Sequence, residues 1–401
     1  MKKILFMLLS FLFLPILTNA LTLPVEITAD SAIVANINEE EILYEKEPDK
    51  VQIMASLTKI MTAYTVINRV ENLDETITIT EADLYNLYGF TCAGLKVGDI
   101  VTYRDLLYGM MLVSGADASQ ALANHMAGSN EEFKKLMNED AKKLGMNNSN
   151  FEDTYGRSDD NLSTAREMYI LLKEALKNKT FKEIFTTTKY TMTNGLETQN
   201  YTKSQAEFHG LDTNMIKGNK SGYTPEAGLL LASITTINGE DYIIITCKSE
   251  INTWYSTHIL DTYKIYDYLS ENNYEKRLLL EKGNVIKKIE VDNSTVSEYV
   301  VTVDKDITKI LSDTEFEKIT YDYHIANIIT TDNKKGDTLG YIDILVGEEV
   351  VATYNVYLKD NIYKYQEQSK TMIVLMIVLV FLIIIILCTN IISNKKHKKK
   401  R

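Results

Sequence analysis

MASLTKIMTAYTV, residues 54–66, places one lysine inside an otherwise apolar run. Apolar side chains recur at helical spacing at Leu57, Ile60, Met61, Tyr64 and Ile67. This spacing predicts a helix that begins near Ser56 and buries one face. Ser56 and Lys59 are three residues apart, so their side chains lie on the same face, one turn apart. Burial disfavours the charged lysine and would leave a neutral amine to take a proton from the serine. A lysine that only extends its amine to the surface is the alternative.

Two later stretches carry further polar residues in apolar contexts. In LVSGADASQALA, residues 112–123, Ser114 lies in a loop before a predicted helix, where an ordinary N-cap serine is the alternative. In GNKSGYTPEAGLLLAS, residues 218–233, Lys220 and Ser221 could hold a substrate carboxylate. Gly222 would let a ligand approach the strand backbone closely. A solvated basic strand edge is the alternative for this second stretch.

The two ends of the chain predict export and a membrane anchor. Residues 1–20 have two lysines, an apolar run and small residues before a cleavage-like site, which is the layout of a signal peptide. Thr371–Ile392 contains no charged residue and is long enough to cross a bilayer as a helix. The basic tail, residues 393–401, would then lie in the cytoplasm, with the rest of the protein on the other side of the cell membrane. An uncleaved anchor and a buried core helix are the alternatives for the two segments.

Charge and motif content exclude several classes of function. The chain has a net charge of −12, which falls to about −20 when the basic residues of both ends are set aside. Such a charge is unsuited to nucleic acid. No HExxH or CxxC pattern announces a metal site, and no GxSxG indicates a nucleophile-elbow hydrolase. We therefore expect no metal and no cofactor.

Hydrophobic patterning predicts two folded domains. In the first, residues 21–272, the hairpin-like SAIVANINEEEILYEK precedes a mostly helical middle, and two β-rich runs then meet at Asn238-Gly239. A helix around THILDTYKIYDYLSE closes this domain. From residue 273 to 363, short alternating runs between turns predict a small antiparallel β domain with one packed face.

Taken together, these motifs resemble a known family. The set S-x-x-K, S-D-N and K-T-G is found in penicillin-binding proteins and β-lactamases. The chain resembles the low-molecular-mass penicillin-binding proteins, the serine D-alanyl-D-alanine carboxypeptidases. The similarity extends to GLKVGDIVTYRDLLYGMMLVSGADA, FEDTYGRSDDNLSTAREM and KSGYTPEAG, and covers nearly the whole chain. It implies a mixed α/β, transpeptidase-like domain with a central antiparallel sheet and a helical lobe. A small all-β domain and one transmembrane helix follow.

The resemblance also implies a role for each site residue. Ser56 would be acylated, Lys59 would act as its general base and Ser114 would relay protons. Lys220 and Ser221 would orient the terminal carboxylate of a peptidoglycan pentapeptide stem. Gly222 completes that motif, and the N–H groups of Ser56 and Tyr223 would form the oxyanion hole, with β-lactam antibiotics as acylating inhibitors.

One position departs from the family pattern, and two other functions stay open. Ala116 stands where the family usually has asparagine, which removes one side-chain contact with substrate. Ser221 replaces a threonine but keeps the hydroxyl. A catalytically silent scaffold of the cell wall and a membrane-anchored β-lactamase are the alternative functions.

Overall fold

The fold is described here from a computed structural model that covers residues 23–252, 254–364 and 370–398. The described chain forms two compact units. The first reaches Leu278 and adds Thr308–Ile319, and the second holds Leu279–Ile307 and the chain from Thr320 onward. The predicted domain bounds, residues 21–272 and 273–363, remain predictions.

The helices and strands follow one another along the chain. The helices are α1 Thr58–Ile67, α2 Tyr103–Leu112, α3 Ala116–Ala127, α4 Asn130–Lys143, α5 Ala165–Ala175, α6 Lys179–Thr186, α7 Thr202–Phe208, α8 Thr257–Glu271, α9 Asp313–Phe316 and α10 Lys370–Lys398. The first strands are β1 Ser31–Asn36, β2 Glu41–Lys46, β3 Gln52–Ile53, β4 Thr76–Thr78, β5 Ile100–Thr102, β6 Leu162–Ser163, β7 Lys189–Thr191, β8 Glu197–Gln199, β9 Gly218–Thr224, β10 Gly228–Ile237 and β11 Glu240–Ser249. The later strands are β12 Glu275–Leu280, β13 Val285–Asp292, β14 Glu298–Thr302, β15 Ile307–Leu311, β16 Ile319–Ile325, β17 Ile328–Thr330, β18 Thr338–Val346 and β19 Glu349–Tyr357.

A five-stranded antiparallel sheet forms the centre of the first unit. Its strand order is β2-β1-β11-β10-β9, so β9 lies at one edge. Alternate residues of one strand enter different cores, because successive side chains point to opposite faces. Ile243 and Ile245 pack in the core that contains α1–α6, whereas Ile244 packs in the core that contains α8. The predicted central antiparallel sheet, with helices on both faces, is confirmed.

Local sequence signals explain several of these elements. Thr102 and Asp105 form a capping box that starts α2. Asn238 and Gly239 both have positive φ, 53° and 84°, which is typical of a tight turn between antiparallel strands. The predicted hairpins and helices over these stretches are confirmed, including α8 over THILDTYKIYDYLSE.

The second unit is β-rich, and its sheets differ in one respect from the prediction. One has the order β14-β13-β17 and another the order β16-β18-β19. The pairing of β13 with β17 is parallel, so the expectation of a purely antiparallel domain is wrong there. Three strands lie between β13 and β17 in the chain, and this connection is long enough for the crossover that parallel neighbours need. Ile289, Ile342 and Tyr354 belong to its hydrophobic core.

The two predicted membrane-related segments have different outcomes. Residues 1–20, the predicted signal peptide, lie outside the described residues. Thr371–Ile392 falls within α10, whose side chains are described only in part. Within the described residues we find no helix that combines the length and apolarity needed to cross a membrane.

Candidate active site

Ser56 lies on a strained turn that leads into α1. The turn is a short 3₁₀ segment, Ala55–Leu57, and not the first turn of the α-helix itself. Ala55 has a φ of 41°, in the left-handed region that alanine rarely adopts. A Cβ added to Gly156 would lie 1.9 Å from the Ala55 carbonyl oxygen, so the loop that contains Gly156 packs directly against this turn. The close packing holds the backbone of Ala55, the residue before Ser56, in a conformation that alanine would not keep alone.

Lys59 faces Ser56 from the first turn of α1. Its side chain is only 2% exposed, and its Nζ lies 3.0 Å from Ser56 Oγ. Nζ also donates a hydrogen bond to the Tyr155 carbonyl oxygen across 2.6 Å. Burial, together with the nearby charge of Lys220, holds the pKa of Lys59 well below its usual value. Because the amine is buried and hydrogen-bonded within the protein, the alternative of a lysine that only extends its amine to the surface is excluded.

Asp153 fixes the carbonyl group that contacts Lys59. Its carboxylate accepts backbone N–H bonds from Tyr155, Gly156, Arg157 and Ser158, with distances of 2.6 to 3.1 Å. It also accepts a 2.9 Å bond from the side-chain amide of Asn161. The sequence analysis missed this residue. An aspartate before a glycine indicates a turn closed by its side chain, but no local pattern places that turn against Lys59.

Ser114 and Lys220 form a second serine–lysine contact. Ser114 lies between α2 and α3 with a φ of 63°. It does not cap α3, whose N-cap is Gly115, so the N-cap alternative is excluded. Lys220 Nζ donates hydrogen bonds to Ser114 Oγ, 3.1 Å away, and to the Ser221 carbonyl oxygen, 2.8 Å away. Lys220 is 2% exposed, so the alternative of a solvated basic strand edge is excluded. Burial also lowers the pKa of Lys220 to about 7.

Gly222 brings the edge strand β9 close to the Ser56 turn. A Cβ at this position would lie 3.2 Å from the Ser56 nitrogen and 3.4 Å from the Leu57 nitrogen. A side chain would crowd these nitrogen atoms, and glycine, which has none, lets the two backbone segments approach closely. The next residue, Tyr223, is 53% exposed and lines the cleft beside Ser56. The two predicted oxyanion-hole residues therefore lie on neighbouring backbone segments.

Ala116 is buried where an asparagine side chain was expected from the family pattern. It is 1% exposed and clusters with Leu87 and Tyr155. The neighbouring Asp117 does not replace the amide, because its carboxylate accepts backbone N–H bonds from residues 93–95. As expected, Asp117 points away from the cleft.

Ser56, Lys59 and Ser114 line one cleft of about 460 Å³, and Lys220 reaches it through its hydrogen bond to Ser114. Phe90, Arg157 and Glu226 also line this cleft, and the sequence analysis named none of them. The Arg157 guanidinium lies 5.5 Å from the centre of the Phe90 ring, and its Nη1 donates to the Asn86 carbonyl oxygen. Residues from distant parts of the chain thus add charge of both signs to the cleft wall.

Comparison with known proteins agrees with this architecture. Residues 18–250 match the D-alanyl-D-alanine carboxypeptidase family, Peptidase_S11, and residues 274–364 match the C-terminal domain of penicillin-binding protein 5. The D-alanyl-D-alanine endopeptidase of Pseudomonas aeruginosa is 31% identical over 268 residues, which cover 66% of this chain and 81% of that relative. The D-alanyl-D-alanine carboxypeptidase DacF of Bacillus subtilis is 26% identical over 350 residues, with coverages of 84% and 86%.

A solved structure shares the fold of this chain. The crystal structure of the D-alanyl-D-alanine carboxypeptidase DacD from Francisella tularensis gives a TM-score of 0.71, covers 85% of this chain and 95% of its own, and is 23% identical. The mixed α/β domain followed by a β domain is thus that of the transpeptidase-like serine peptidases. Because the Peptidase_S11 match spans more than half of the chain, the protein belongs to the D-alanyl-D-alanine carboxypeptidase family.

Proposed function

We propose that this protein removes the terminal D-alanine from peptidoglycan pentapeptide stems through an acyl-enzyme on Ser56. The observation that carries the proposal is the pair of contacts, Lys59 with Ser56 and Lys220 with Ser114, whose two serines line one cleft. Each contact joins a hydroxyl to a buried amine whose pKa is lowered. Such an arrangement can activate a nucleophile and also return a proton to a leaving group.

The proposed reaction has two chemical steps. Neutral Lys59 takes the proton of Ser56 as Oγ attacks the carbonyl carbon of the penultimate D-alanine. The N–H groups of Ser56 and Tyr223 stabilise the oxyanion, and loss of one such donor typically costs roughly 10²–10³ in rate. Ser114, bonded to Lys220, passes a proton to the departing D-alanine amine as the C–N bond breaks. Water then attacks the ester, and the hydroxyl of Ser56 is regenerated.

Substrate orientation would come from the edge strand. Lys220 and Ser221 would bind the carboxylate of the terminal D-alanine, because an amine that can take up a proton, beside a hydroxyl, suits a carboxylate. The stem would then lie along β9 past Gly222, where the backbone can approach most closely. β-Lactams would acylate the same serine and act as inhibitors.

A single assay tests the proposed function. The full chain is incubated with a muropeptide that carries a pentapeptide stem, and free D-alanine is measured. Labelling with a fluorescent penicillin separates the alternatives left open by the sequence. A silent scaffold would neither release D-alanine nor take up label, whereas a β-lactamase would lose the label quickly.

A second peptidase activity is favoured by one comparison. The relative in Pseudomonas aeruginosa is named an endopeptidase, and an endopeptidase of this chemistry would cleave a cross-link between two stems. The match of residues 274–364 to the penicillin-binding protein 5 domain favours the carboxypeptidase. Products from a cross-linked dimer and from a monomeric pentapeptide, measured side by side, distinguish the two activities.

We also infer that the protein is exported and held on the cell membrane by residues 371–392. The support is the sequence: this stretch has no charged residue and precedes a cluster of Lys and Arg. Protease added to intact cells should release one large soluble fragment that contains the Ser56 cleft. Recovery of the uncut protein in the cytosolic fraction would contradict both the export and the anchor.

A further inference from the structure

An aromatic groove adjoins the cleft that contains Ser56. We define it by Tyr201, Phe208, Tyr223, Trp254, Tyr255 and His258, which line a space of about 610 Å³. Tyr223 lines both this groove and the catalytic cleft, so the two adjoin at this residue. Phe208 and Trp254 are each 81% exposed. Aromatic side chains exposed side by side in a concave surface indicate a binding site, since soluble proteins seldom leave such a patch uncovered.

The polar groups of the aromatic groove are hydroxyls, side-chain amides and the imidazoles of His209 and His258. The lining residues that the structure describes include Ser204, Gln205 and Asn252, but no lysine, arginine, aspartate or glutamate. Amide and hydroxyl groups can both donate and accept hydrogen bonds. This lining differs from the catalytic cleft, which Arg157, Asp159 and Glu226 provide with charge of both signs. A ligand of the groove is therefore expected to be neutral and rich in hydroxyl or amide groups.

In the described part of the chain, one buried histidine with an unpaired ring nitrogen belongs to the wall of the aromatic groove. His258 lines the aromatic groove with 5% of its surface exposed. Its Nδ1 has no hydrogen-bond partner within residues 23–252, 254–364 and 370–398. Buried polar atoms almost always have a partner, so among the described residues this ring nitrogen is an unsatisfied polar atom in the wall of the aromatic groove.

We propose that the aromatic groove binds the glycan of the substrate, a neutral N-acetylated saccharide. The proposal rests on the proposed function, because the stem that enters the catalytic cleft is attached to such a sugar. The apolar face of a sugar ring packs on aromatic side chains, while its hydroxyl and acetamido groups suit Ser204, Gln205 and Asn252. A stem peptide, which carries carboxylates and amines, would find no ionic partner among the described lining residues. The space accommodates roughly one or two sugar rings.

Tryptophan fluorescence tests the glycan site without any catalytic readout. Trp254 is the single tryptophan of the chain, so its emission reports directly on the groove. Titration of the full chain with a tetramer of N-acetylglucosamine should give a saturable change in emission. Phe208→Ala should weaken the apparent affinity roughly three- to tenfold, as expected for loss of one aromatic contact. Tyr363→Ala, at an aromatic residue that is 71% exposed in the second unit, is the matched control and should leave the titration unchanged.

Kinetics with two substrates then link the groove to the reaction. We compare D-alanine release from a free pentapeptide and from the same peptide attached to its disaccharide. Trp254→Ala should raise KM for the disaccharide substrate roughly three- to tenfold, with kcat and the free-peptide kinetics unchanged. If Trp254→Ala does not fold, Phe208→Ala serves for the same comparison.

The two sets of results distinguish failure of the glycan site from failure of the proposed function. The glycan site would be overturned if the saccharide gave no saturable change in emission, or if Trp254→Ala impaired D-alanine release equally from both substrates. A protein partner would then be the occupant to seek. Absence of D-alanine release from either substrate would overturn the proposed function instead. The fluorescence titration would still report whether the saccharide binds.

Discussion

Lys220 Nζ lies 3.1 Å from Ser114 Oγ, although the two residues are 106 positions apart in the sequence. This contact joins the edge strand β9 to the loop between α2 and α3. Lys59 lies in the same cleft, and the charge of Lys220 contributes to its lowered pKa. Two buried amines that disfavour each other's charge provide the neutral base that the proposed reaction needs.

The first prediction identifies the nucleophile. Ser56→Ala removes the only hydroxyl that Lys59 contacts within the described residues, and should abolish penicillin labelling. The fold should persist, because the substitution deletes a single oxygen atom from a partly exposed side chain. Mass spectrometry of the labelled wild-type protein should place the adduct on the peptide that contains Ser56. An adduct on Ser114 or Ser221 would refute the assignment.

The second prediction concerns stability against pH. Burial lowers the pKa of Lys220 to about 7 in the folded protein, well below the 10.5 of an unperturbed lysine. Between pH 7 and 9 the unfolded chain therefore binds more protons at this residue, so its contribution makes the fold more stable as pH rises. Each such group adds a slope of at most about 1.4 kcal/mol per pH unit.

Urea unfolding at pH 7 and pH 9 measures this slope. Lys220→Met should reduce the rise in the free energy of unfolding without abolishing it, because the pKa of Lys59 is lowered as well. Lys203→Met, at a partly exposed lysine on α7, is the control and should keep the wild-type slope. If the free energy of unfolding rose as much from pH 7 to pH 9 in Lys220→Met as in the wild type, Lys220 would keep its proton in the folded protein.

The third prediction concerns Ala116. The proposed proton transfers use Ser114, Lys59 and Lys220, so the alanine removes one hydrogen bond to substrate, worth about 0.5–1.5 kcal/mol. Ala116→Asn should leave kcat/KM within about tenfold of the wild type, whereas Ser114→Ala should lower it much further. Ala116 is buried against Leu87 and Tyr155, so Ala116→Asn should also lower stability by about 1–3 kcal/mol. Conversion of an inert protein into an active one by Ala116→Asn would support the scaffold alternative.

The fourth prediction treats Asp153 as a positioning residue for Lys59. Asp153→Ala removes the acceptor for the N–H groups that hold the turn around Tyr155, and so frees the carbonyl group that Lys59 contacts. We expect a loss of about 1–3 kcal/mol in stability, together with a lower kcat and a shifted pH profile of kcat.

Asp160→Ala is the matched control for that change. Asp160 lies in the same loop with an exposed side chain, and its known hydrogen bonds involve only its backbone. It should retain wild-type stability and pH profile. A purely structural role for Asp153 would lower stability and leave the pH dependence of kcat unmoved.

Local order could be predicted from the sequence because neighbours in the chain determine it. The turn at Asn238-Gly239 needs positive φ at two successive residues, and those residue types supply it. Helix α8 follows its apolar spacing from end to end. The contact between Ser56 and Lys59 belongs to the same class, since a separation of three residues within helical backbone already brings the side chains together.

Long-range contacts were decided only by the tertiary structure. The carbonyl group of Tyr155 reaches Lys59 because a separate loop, held by Asp153, packs on the nucleophile turn. The parallel pairing of β13 with β17 likewise depends on a crossover that strand patterns do not reveal. The aromatic groove combines residues of α7, β9, the segment before α8 and the start of α8, and no local sequence motif links these elements. Hydrophobic spacing determines which face of an element is buried, but the partner that covers that face is chosen by packing of the whole domain.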